Sequence, residues 1–490
     1  MSVRKSLAWA FSGQFATGIV LFGGSLVIAR LLSPYELGVY AIAMAALGIV
    51  QVFATFGVSS YLIREAELTD RIVAAAFTVN ALLAIGLTAA LVAVSFVTTP
   101  LLGEAQAGDV LRIVAAGNLL GIATFLPLTM LQREMQFKTL AAIHLINAAV
   151  QVSGTIAFAL AGASYLSPAY ASLITAVVTT VIALVLGRRH VSFRCSMEGW
   201  RPIATFGVQI MSINGVGMLN GRLSDLLVGR LLGVTALGLY SRASSLSNLM
   251  WENVYATAAK VTFVQLSRDY RSGGDWKRTY LRSFAMISGF MWPIQLGLAI
   301  LSRPAIHLLY GEQWLPAALP LSALMVAQCL GVGFGLNWEL FVLRNETGRQ
   351  GKYEIVRLIL GLPIFAVGCL FSIVAAGCAK IADAAIGLAI YYPHVRRLAG
   401  LGPREIPRIY ASSGLISVCA VLPALVLMIR YDWSASVPLS LVATAIAGGI
   451  ALWLAAIMLM HHPLRDELVN LYRKLRAGRG LPHPTAKPLP

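Results

Sequence analysis

Two adjacent apolar segments of the chain carry polar side chains of the kind that bind an anion or a sugar. Residues 235–262 include Arg242, Glu252, Asn253 and Lys260. Arg and Lys donate charge-assisted hydrogen bonds to phosphate, and an amide both donates and accepts. Ionisable residues within an apolar span are costly, and they usually face a cavity or a partner. This segment therefore predicts a hydrophilic cavity suited to an anionic, hydroxyl-rich solute.

Helical spacing predicts that the basic residues of this segment form a stripe. At about 100° per residue, Arg242, Asn253 and Lys260 fall on one helix face, with Glu252 beside them. Such a stripe would line the cavity. Because Arg242 and Lys260 stand near opposite ends of the segment, the alternative is that their charges snorkel to the membrane interface.

The preceding segment, residues 203–229, is also polar for an apolar span; its polar members are Gln209, Asn214, Asn220, Arg222 and Asp225. Arg222 and Asp225 stand at i and i+3, which are neighbouring positions on a helix surface. We interpret them as a structural ion pair, with a cavity-lining role as the alternative.

Two further segments contain isolated polar groups. Residues 140–161 place His144, Asn147, Gln151 and Thr155 on one helix face, where they would line the cavity or bridge to a neighbouring helix. Glu339, in residues 315–343, has no partner nearby in sequence. A lone acid of this kind predicts a proton or cation site, or a side chain that snorkels to the cytoplasmic surface.

Motifs for bond-making chemistry do not occur in the sequence. It contains no phosphate-binding GxxxxGK[ST], no HExxH and no nucleophile elbow, and the five cysteines have no metal-ligand spacing. We therefore predict a protein that is not an enzyme and that has no metal site and no cofactor.

The composition predicts that these residues sit on membrane-spanning helices. Hydrophobic residues make up 58% of the 490 residues and charged residues 12%, with mean hydropathy +0.76. Soluble domains carry about 25% charged residues, so soluble enzyme classes are excluded. With ~20 apolar residues needed per span, we predict fourteen spans: 7–29, 37–59, 73–97, 110–131, 140–161, 166–187, 203–229, 235–262, 283–302, 315–343, 353–375, 378–395, 409–429 and 435–460.

The net charge of +17 fits the same topology. With the N-terminus in the cytoplasm, most Lys and Arg residues fall in cytoplasmic segments, as the positive-inside rule requires. An even number of spans puts both termini inside. We therefore predict a multi-pass membrane protein that contacts membrane lipid and does not bind nucleic acid.

An internal repeat predicts the arrangement of the spans. Residues 30–40 (RLLSPYELGVY) align with residues 230–240 (RLLGVTALGLY), each in the turn after an odd-numbered span. The repeat unit holds six spans, so both copies enter the membrane in the same orientation. We predict an all-α fold of two parallel six-helix lobes around a central cavity (1–190 and 191–400), two extra C-terminal helices (401–462) and a cytoplasmic tail (463–490) with an amphipathic interfacial helix.

Three motifs carry a family resemblance: residues 29–40 (ARLLSPYELGVY), 131–138 (LQREMQFK) and 225–240, which begins DLLVGRLLG. They resemble the polysaccharide transporter family of Wzx-type flippases, in the multidrug/oligosaccharidyl-lipid/polysaccharide (MATE/MOP) superfamily. The resemblance implies a flippase for undecaprenyl-diphosphate-linked oligosaccharide repeat units in O-antigen, capsule or exopolysaccharide synthesis, a V-shaped two-lobe fold and alternating access. It also implies a polysaccharide polymerase and assembly proteins as partners. The family often has a proline near the end of span 8, where this chain reads Lys260–Gln265.

Three alternatives remain open from the sequence. A cation-coupled multidrug exporter of the same superfamily would be expected to have an acidic cavity, whereas spans 7 and 8 have a slight basic excess. A peptidoglycan-precursor flippase fits the same features. An integral membrane glycosyltransferase or polymerase would need a long outside loop with catalytic acids, and the outside loops here are short.

Overall fold

The computed structural model describes residues 3–54, 56–190 and 194–477, and within them the chain forms helices and no strands. The α-helices are α1 (Val3–Leu31), α2 (Pro34–Ala54), α3 (Val58–Arg64), α4 (Asp70–Phe96), α5 (Thr98–Leu102), α6 (Ala107–Arg133), α7 (Phe137–Leu160), α8 (Ser167–Leu186), α9 (Trp200–Leu232), α10 (Val234–Met250), α11 (Ala256–Arg271), α12 (Trp276–Ile300), α13 (Ser302–Tyr310), α14 (Ala318–Val332), α15 (Asn337–Leu343), α16 (Thr347–Cys369), α17 (Ile373–Ala399), α18 (Glu405–Arg430), α19 (Leu439–Leu459) and α20 (Leu464–Ala477). The predicted all-α class is confirmed.

Eleven helical stretches within the described residues are long and apolar enough to cross a membrane, so the chain is a polytopic membrane protein. The other three predicted spans, 203–229, 235–262 and 353–375, also lie in helices. Segment 235–262 carries the charged residues discussed above, which lower its hydropathy, and several side chains of segment 203–229 lie outside the described residues. The count of fourteen spans therefore stays a prediction.

The chain divides into two compact units. Unit 1 comprises residues 1–244, 306–320 and 354–379, and unit 2 comprises residues 245–305, 321–353 and 380–490. In unit 1, α7 packs on α1 and α8, α6 packs on α4 and α8, and α2 packs on α9. In unit 2, α12 and α19 both pack on α18, and α11 packs on α12. The lobe boundaries predicted from the repeat stay a prediction.

Local sequence explains the turns of the repeat. Ser33 caps α2: the Ser33 backbone N–H donates to Glu36 Oε2 at 2.7 Å, and the Glu36 N–H donates to Ser33 Oγ at 3.3 Å. This reciprocal pair is a capping box, with Pro34 at the first helical position, where its missing N–H costs nothing. In the second copy, Gly233 has φ +90°, and it separates α9 from α10 with a single residue.

The predicted amphipathic helix of the tail is present as α20, which packs on α12 and α19. Arg282 Nη2 donates to Glu467 Oε1 at 3.0 Å. Just before α20, His462 is buried. Its Nε2 atom lies 3.3 Å from Ser413 Oγ, and its Nδ1 atom accepts a hydrogen bond from the Leu464 N–H at 3.4 Å. The proline-rich end that follows Ala477 lies outside the described residues.

Burial of His462 gives a pH-dependent prediction. Desolvation lowers the pKa of His462 to about 4, below its usual value of 6.5. The unfolded chain therefore binds the additional proton between these values, and stability is lost as the pH falls from about 6.5 to 4. We expect about 3 kcal/mol at most to be lost at pH 4. Thermal unfolding of the purified protein between pH 7 and 4 measures the loss, which His462→Gln should reduce. An equal pH dependence of the unfolding temperature in wild type and variant would contradict this role of His462.

Candidate functional site

A cavity of about 920 Å³, lined by both apolar and hydrogen-bonding side chains, lies within unit 1 between α1, α3, α6, α7 and α8. Its hydrogen-bonding side chains are Gln14, Thr17, Ser59, Thr129, Gln132, His144, Asn147, Gln151, Thr175 and Thr179. Among the lining residues that the structure describes, none is Asp, Glu, Lys or Arg. The cavity therefore offers hydrogen-bonding side chains, among them the imidazole of His144, and no carboxylate, ammonium or guanidinium group from the described lining.

The polar face predicted on residues 140–161 contributes three side chains to this cavity. His144, Asn147 and Gln151 all line it. The Thr179 hydroxyl donates to Asn147 Oδ1 at 2.9 Å, and the Thr175 hydroxyl donates to Gln151 Oε1 at 3.3 Å. The two amides therefore both bridge α7 to α8 and border the cavity, so the two interpretations of these residues are compatible.

The sequence reasoning did not identify the contribution of α1. Gln14 and Thr17 stand at i and i+3 and face the cavity from this helix. Thr17 Oγ1 is buried and makes no hydrogen bond within the described part of the chain. The i, i+3 spacing of two polar residues in an apolar helix is the signal that could have found them.

The ion pair predicted on residues 203–229 is present in α9. Arg222 Nη1 lies 3.8 Å from Asp225 Oδ2. The Arg222 side chain crosses α2 at Gly48, where an added Cβ would overlap the Arg222 Nε atom. Arg222 thus packs α9 against α2. The side chains of Gln209 and Asn214 lie outside the described residues.

The constant angle of 100° per residue assumed for the basic stripe is wrong. A π-helical turn, Trp251–Tyr255, separates α10 from α11. Because a π-turn bonds i to i+5 and inserts a residue into the α-helical register, an angle of 100° per residue does not carry across it. Arg242 lies before the turn, in unit 1, and Lys260 lies after it, in unit 2. The cavity roles of Arg242, Lys260 and their neighbours stay predictions.

The side chains of the proposed stripe have different surroundings. The Arg242 guanidinium carbon lies 5.8 Å from the ring centroid of Tyr310 and 5.6 Å from that of Trp314. Asn253 Nδ2 donates to the Leu249 carbonyl one turn earlier at 2.9 Å, and its side chain is exposed. Glu252 and Lys260 are exposed. Arg242 is therefore held by cation–π contacts, whereas Lys260 is accessible to a ligand.

The two copies of the sequence repeat contact each other within unit 1. Gly38 of α2 faces the Val234 carbonyl, and Gly238 of α10 faces the Pro34 carbonyl; a Cβ added at either glycine would overlap that oxygen. The first turns of α2 and α10 therefore meet backbone to backbone. We call this contact the glycine crossing. Glycine at both positions allows the close approach because it has no Cβ.

The repeated arginines, Arg30 and Arg230, have different contacts. Arg30 Nη2 donates to the Leu308 carbonyl of α13 at 3.0 Å. Arg230 packs against Gly103, just after α5, where an added Cβ would lie 3.2 Å from Nη1. Each arginine thus contacts a short helix or turn from the other predicted lobe of the sequence, 1–190 or 191–400. Trp314 Nε1 adds a hydrogen bond of 2.7 Å to the Ala29 carbonyl.

Glu339 does not snorkel to a surface. It lies on α15 in unit 2, its residue is 6% exposed, and its Oε2 atom makes no hydrogen bond within the described residues. The snorkelling interpretation is therefore wrong, because a snorkelling carboxylate would reach water.

Comparisons with known proteins support the family suggested by the motifs. The sequence model of a family described as "Polysaccharide biosynthesis protein" matches residues 27–319. An uncharacterized membrane protein in the cps region of Klebsiella pneumoniae is 20% identical over 480 residues, covering 96% of this chain and 98% of that protein. The lipopolysaccharide biosynthesis protein WzxC of Escherichia coli is 19% identical over 383 residues, covering 75% and 76%.

Solved structures show the same fold. The lipid II flippase MurJ, in an inward closed conformation, superposes with a TM-score of 0.75 at 15% identity, covering 94% of this chain and all of that chain. An inward-facing MATE multidrug transporter of the MOP superfamily gives 0.59 at 14% identity, covering 80% and 99%. Since the family match extends over more than half of its length, this chain belongs to the polysaccharide biosynthesis protein family, among its polysaccharide transporters.

Proposed function

We propose that this protein flips lipid-linked oligosaccharide repeat units across the bacterial inner membrane by alternating access. The functions of two relatives support this: lipopolysaccharide biosynthesis for WzxC, and succinoglycan biosynthesis transport for ExoT of Rhizobium meliloti, which is 21% identical over 313 residues. We further propose that both termini are cytoplasmic, as the distribution of Lys and Arg predicts.

The observation that carries the proposal is the chemistry of the cavity in unit 1. Sugar hydroxyls both donate and accept hydrogen bonds, as the amides and hydroxyls that line the cavity do. Its volume of about 920 Å³ falls within the common range of ligand pockets, about 300–1,000 Å³. We propose that the cavity receives part of the oligosaccharide.

The same observation disfavours a multidrug exporter of organic cations. A cationic drug would be held by a carboxylate, and the described lining residues include none. A peptidoglycan-precursor flippase stays compatible with the cavity, since that substrate is also a lipid-linked sugar.

We propose that Lys260 binds the charged part of the substrate. The diphosphate requires a cation, and Lys260 is an exposed base in the predicted stripe. Arg242 is already engaged by two aromatic rings. We therefore propose that Lys260 contacts the diphosphate and that Arg242 positions α10.

The glycine crossing suggests how access is controlled. Both repeat turns follow odd-numbered spans, so the proposed topology places them on the outer side of the membrane. Contact between the two copies would close that side, and alternating access requires it to separate and form again. We therefore propose the glycine crossing as the outer gate.

A substitution at Thr17 tests whether the cavity binds substrate, without disturbing the fold. Thr17→Val is nearly isosteric and removes a hydroxyl that makes no protein hydrogen bond within the described residues. Because a lost hydrogen bond to substrate costs about 0.5–1.5 kcal/mol, we expect up to about a tenfold rise in the substrate concentration needed for half-maximal transport. The unfolding temperature should not fall.

The matched control is Thr180→Val. Thr180 lies on α8, outside the cavity lining, and its hydroxyl donates to the Ala176 carbonyl at 2.8 Å. We expect transport by this variant to equal that of wild type. Wild-type transport by Thr17→Val would contradict the proposal that the substrate enters the cavity.

A further inference from the structure

We propose that Glu339, together with Tyr255, forms a proton-binding site in unit 2 whose protonation drives the transport cycle. The coupling role rests on the proposed flippase function, whereas binding of the proton does not. Glu339 and Tyr255 stand on separate helical elements, α15 and the π-turn before α11. We call the pair the Glu339 site.

A break in the membrane-spanning helix creates the space for the site. Residues 333–336 form a turn that interrupts the helical stretch between α14 and α15. Tyr255 packs its hydroxyl against this turn at Gly335, where an added Cβ would overlap the Tyr255 side chain. Broken helices in transporters commonly line sites for coupling ions and protons.

Both polar groups of the site are buried, and each has an oxygen atom that makes no hydrogen bond within the described residues. Glu339 is 6% exposed and Tyr255 is 5% exposed. The unpartnered atoms are Glu339 Oε2 and Tyr255 Oη. An ionised carboxylate in such a place is strongly disfavoured, so a proton or another cation must neutralise it. When the proton leaves, the Tyr255 hydroxyl is the donor available to the carboxylate.

Aromatic residues surround the site. The ionisable groups that reach it are Tyr255 and, from α12, Tyr280, both within electrostatic range of Glu339. Tyr391 of α17 is buried in one hydrophobic cluster with Tyr255 and Tyr280, and Tyr410 of α18 packs against that cluster. The nearest charged residue that follows on the chain, Arg344, is directed elsewhere: its guanidinium lies over the Trp276 ring at 5.0 Å, and it donates to the Leu398 carbonyl.

The broken helix favours a proton over a metal cation. A cation would need several oxygen ligands, and unwound carbonyls usually supply them. Here the carbonyls at the break already accept hydrogen bonds from backbone N–H groups or a tyrosine; these carbonyls are Leu330 O, Gly331 O, Val332 O, Gly333 O and Phe334 O. Tyr410 Oη donates to Gly333 O at 2.6 Å. Within the described residues, the polar groups that remain at the site are the Glu339 carboxylate and the Tyr255 phenol. These two groups can hold a proton but are too few to coordinate a metal cation.

Infrared spectroscopy of the purified, substrate-free protein tests the site directly. A protonated carboxyl group absorbs apart from carboxylates and amides. We expect a carboxyl band that disappears reversibly with rising pH in wild type, that is missing in Glu339→Gln, and that titrates at a shifted midpoint in Tyr255→Phe. Glu67→Gln, which removes an exposed glutamate in the loop before α4, should keep the band and its midpoint.

The outcomes separate the site from the proposed function. Persistence of the band in Glu339→Gln overturns the proposal, and so does a midpoint that moves when NaCl replaces choline chloride at constant ionic strength, because sodium would then compete for the site. In cells, we expect Glu339→Gln to reduce polymer export at least tenfold at normal abundance. Normal export by a strain that lacks the gene would refute the flippase function while leaving the infrared result for proton binding intact.

Discussion

Gly38→Val and Gly238→Val should each abolish polymer export. The added side chain would overlap the Val234 carbonyl in the first variant and the Pro34 carbonyl in the second. Overpacking a close contact typically costs about 1–3 kcal/mol, and here the opposing atoms are backbone, which cannot move to another rotamer. Forcing α2 and α10 apart would remove the glycine crossing. Export of surface polymer by a deletion strain that carries each variant measures the effect.

The abundance of each variant in the membrane distinguishes a gating defect from misfolding, because a misfolded variant would be depleted and a gating variant would not. Gly38→Ala and Gly238→Ala add the smallest side chain and should reduce export less than valine does. Gly86→Val in α4 is the matched control, because an added Cβ at Gly86 meets no atom within 4 Å. We expect this control to export normally. Full export by both valine variants at the crossing would refute its role as a gate.

Arg242→Gln and Lys260→Gln should each reduce polymer export, but for different reasons. Arg242 is held over Tyr310 and Trp314, and desolvated cation–π contacts contribute about 2 kcal/mol. Its replacement should lower the unfolding temperature and the amount of protein. Lys260 is exposed, so its replacement should leave the fold intact and weaken the apparent affinity for substrate by about ten- to a hundredfold, since a charge-assisted hydrogen bond contributes about 1.5–3 kcal/mol.

Charge-conserving variants sharpen this distinction. Lys260→Arg keeps the charge and should retain much of the export activity. Arg242→Lys loses the planar group that stacks on the rings and should remain less stable than wild type. Wild-type export and stability in the Arg242→Gln, Lys260→Gln double variant would contradict both roles.

Hydropathy and charge predicted the fold well because they respond to the membrane itself. Long apolar segments must form helices in lipid, where backbone groups have no other partner. The spacing of Arg222 and Asp225 predicted their ion pair for a similarly local reason. Segment 235–262 is helical despite its charges, which a hydropathy criterion penalises.

Features that depend on distant packing were not predictable from one sequence. The π-turn at Trp251–Tyr255 invalidated a helical wheel that assumes one constant angle. The contact between Gly38 and α10 joins residues about two hundred positions apart, although the repeat had already paired Gly38 with Gly238. The partners of Asn147 and Gln151 on α8 likewise required the tertiary structure.

The location of lipid-linked repeat units in a strain that lacks this gene tests the central claim most directly. Leaflet-specific labelling of the sugars should find the units on the cytoplasmic side of the inner membrane, with surface polymer lost and both restored by the wild-type gene. Repeat units that still reach the outer leaflet, with normal surface polymer and a new sensitivity to cationic drugs, would contradict the account and favour a multidrug exporter.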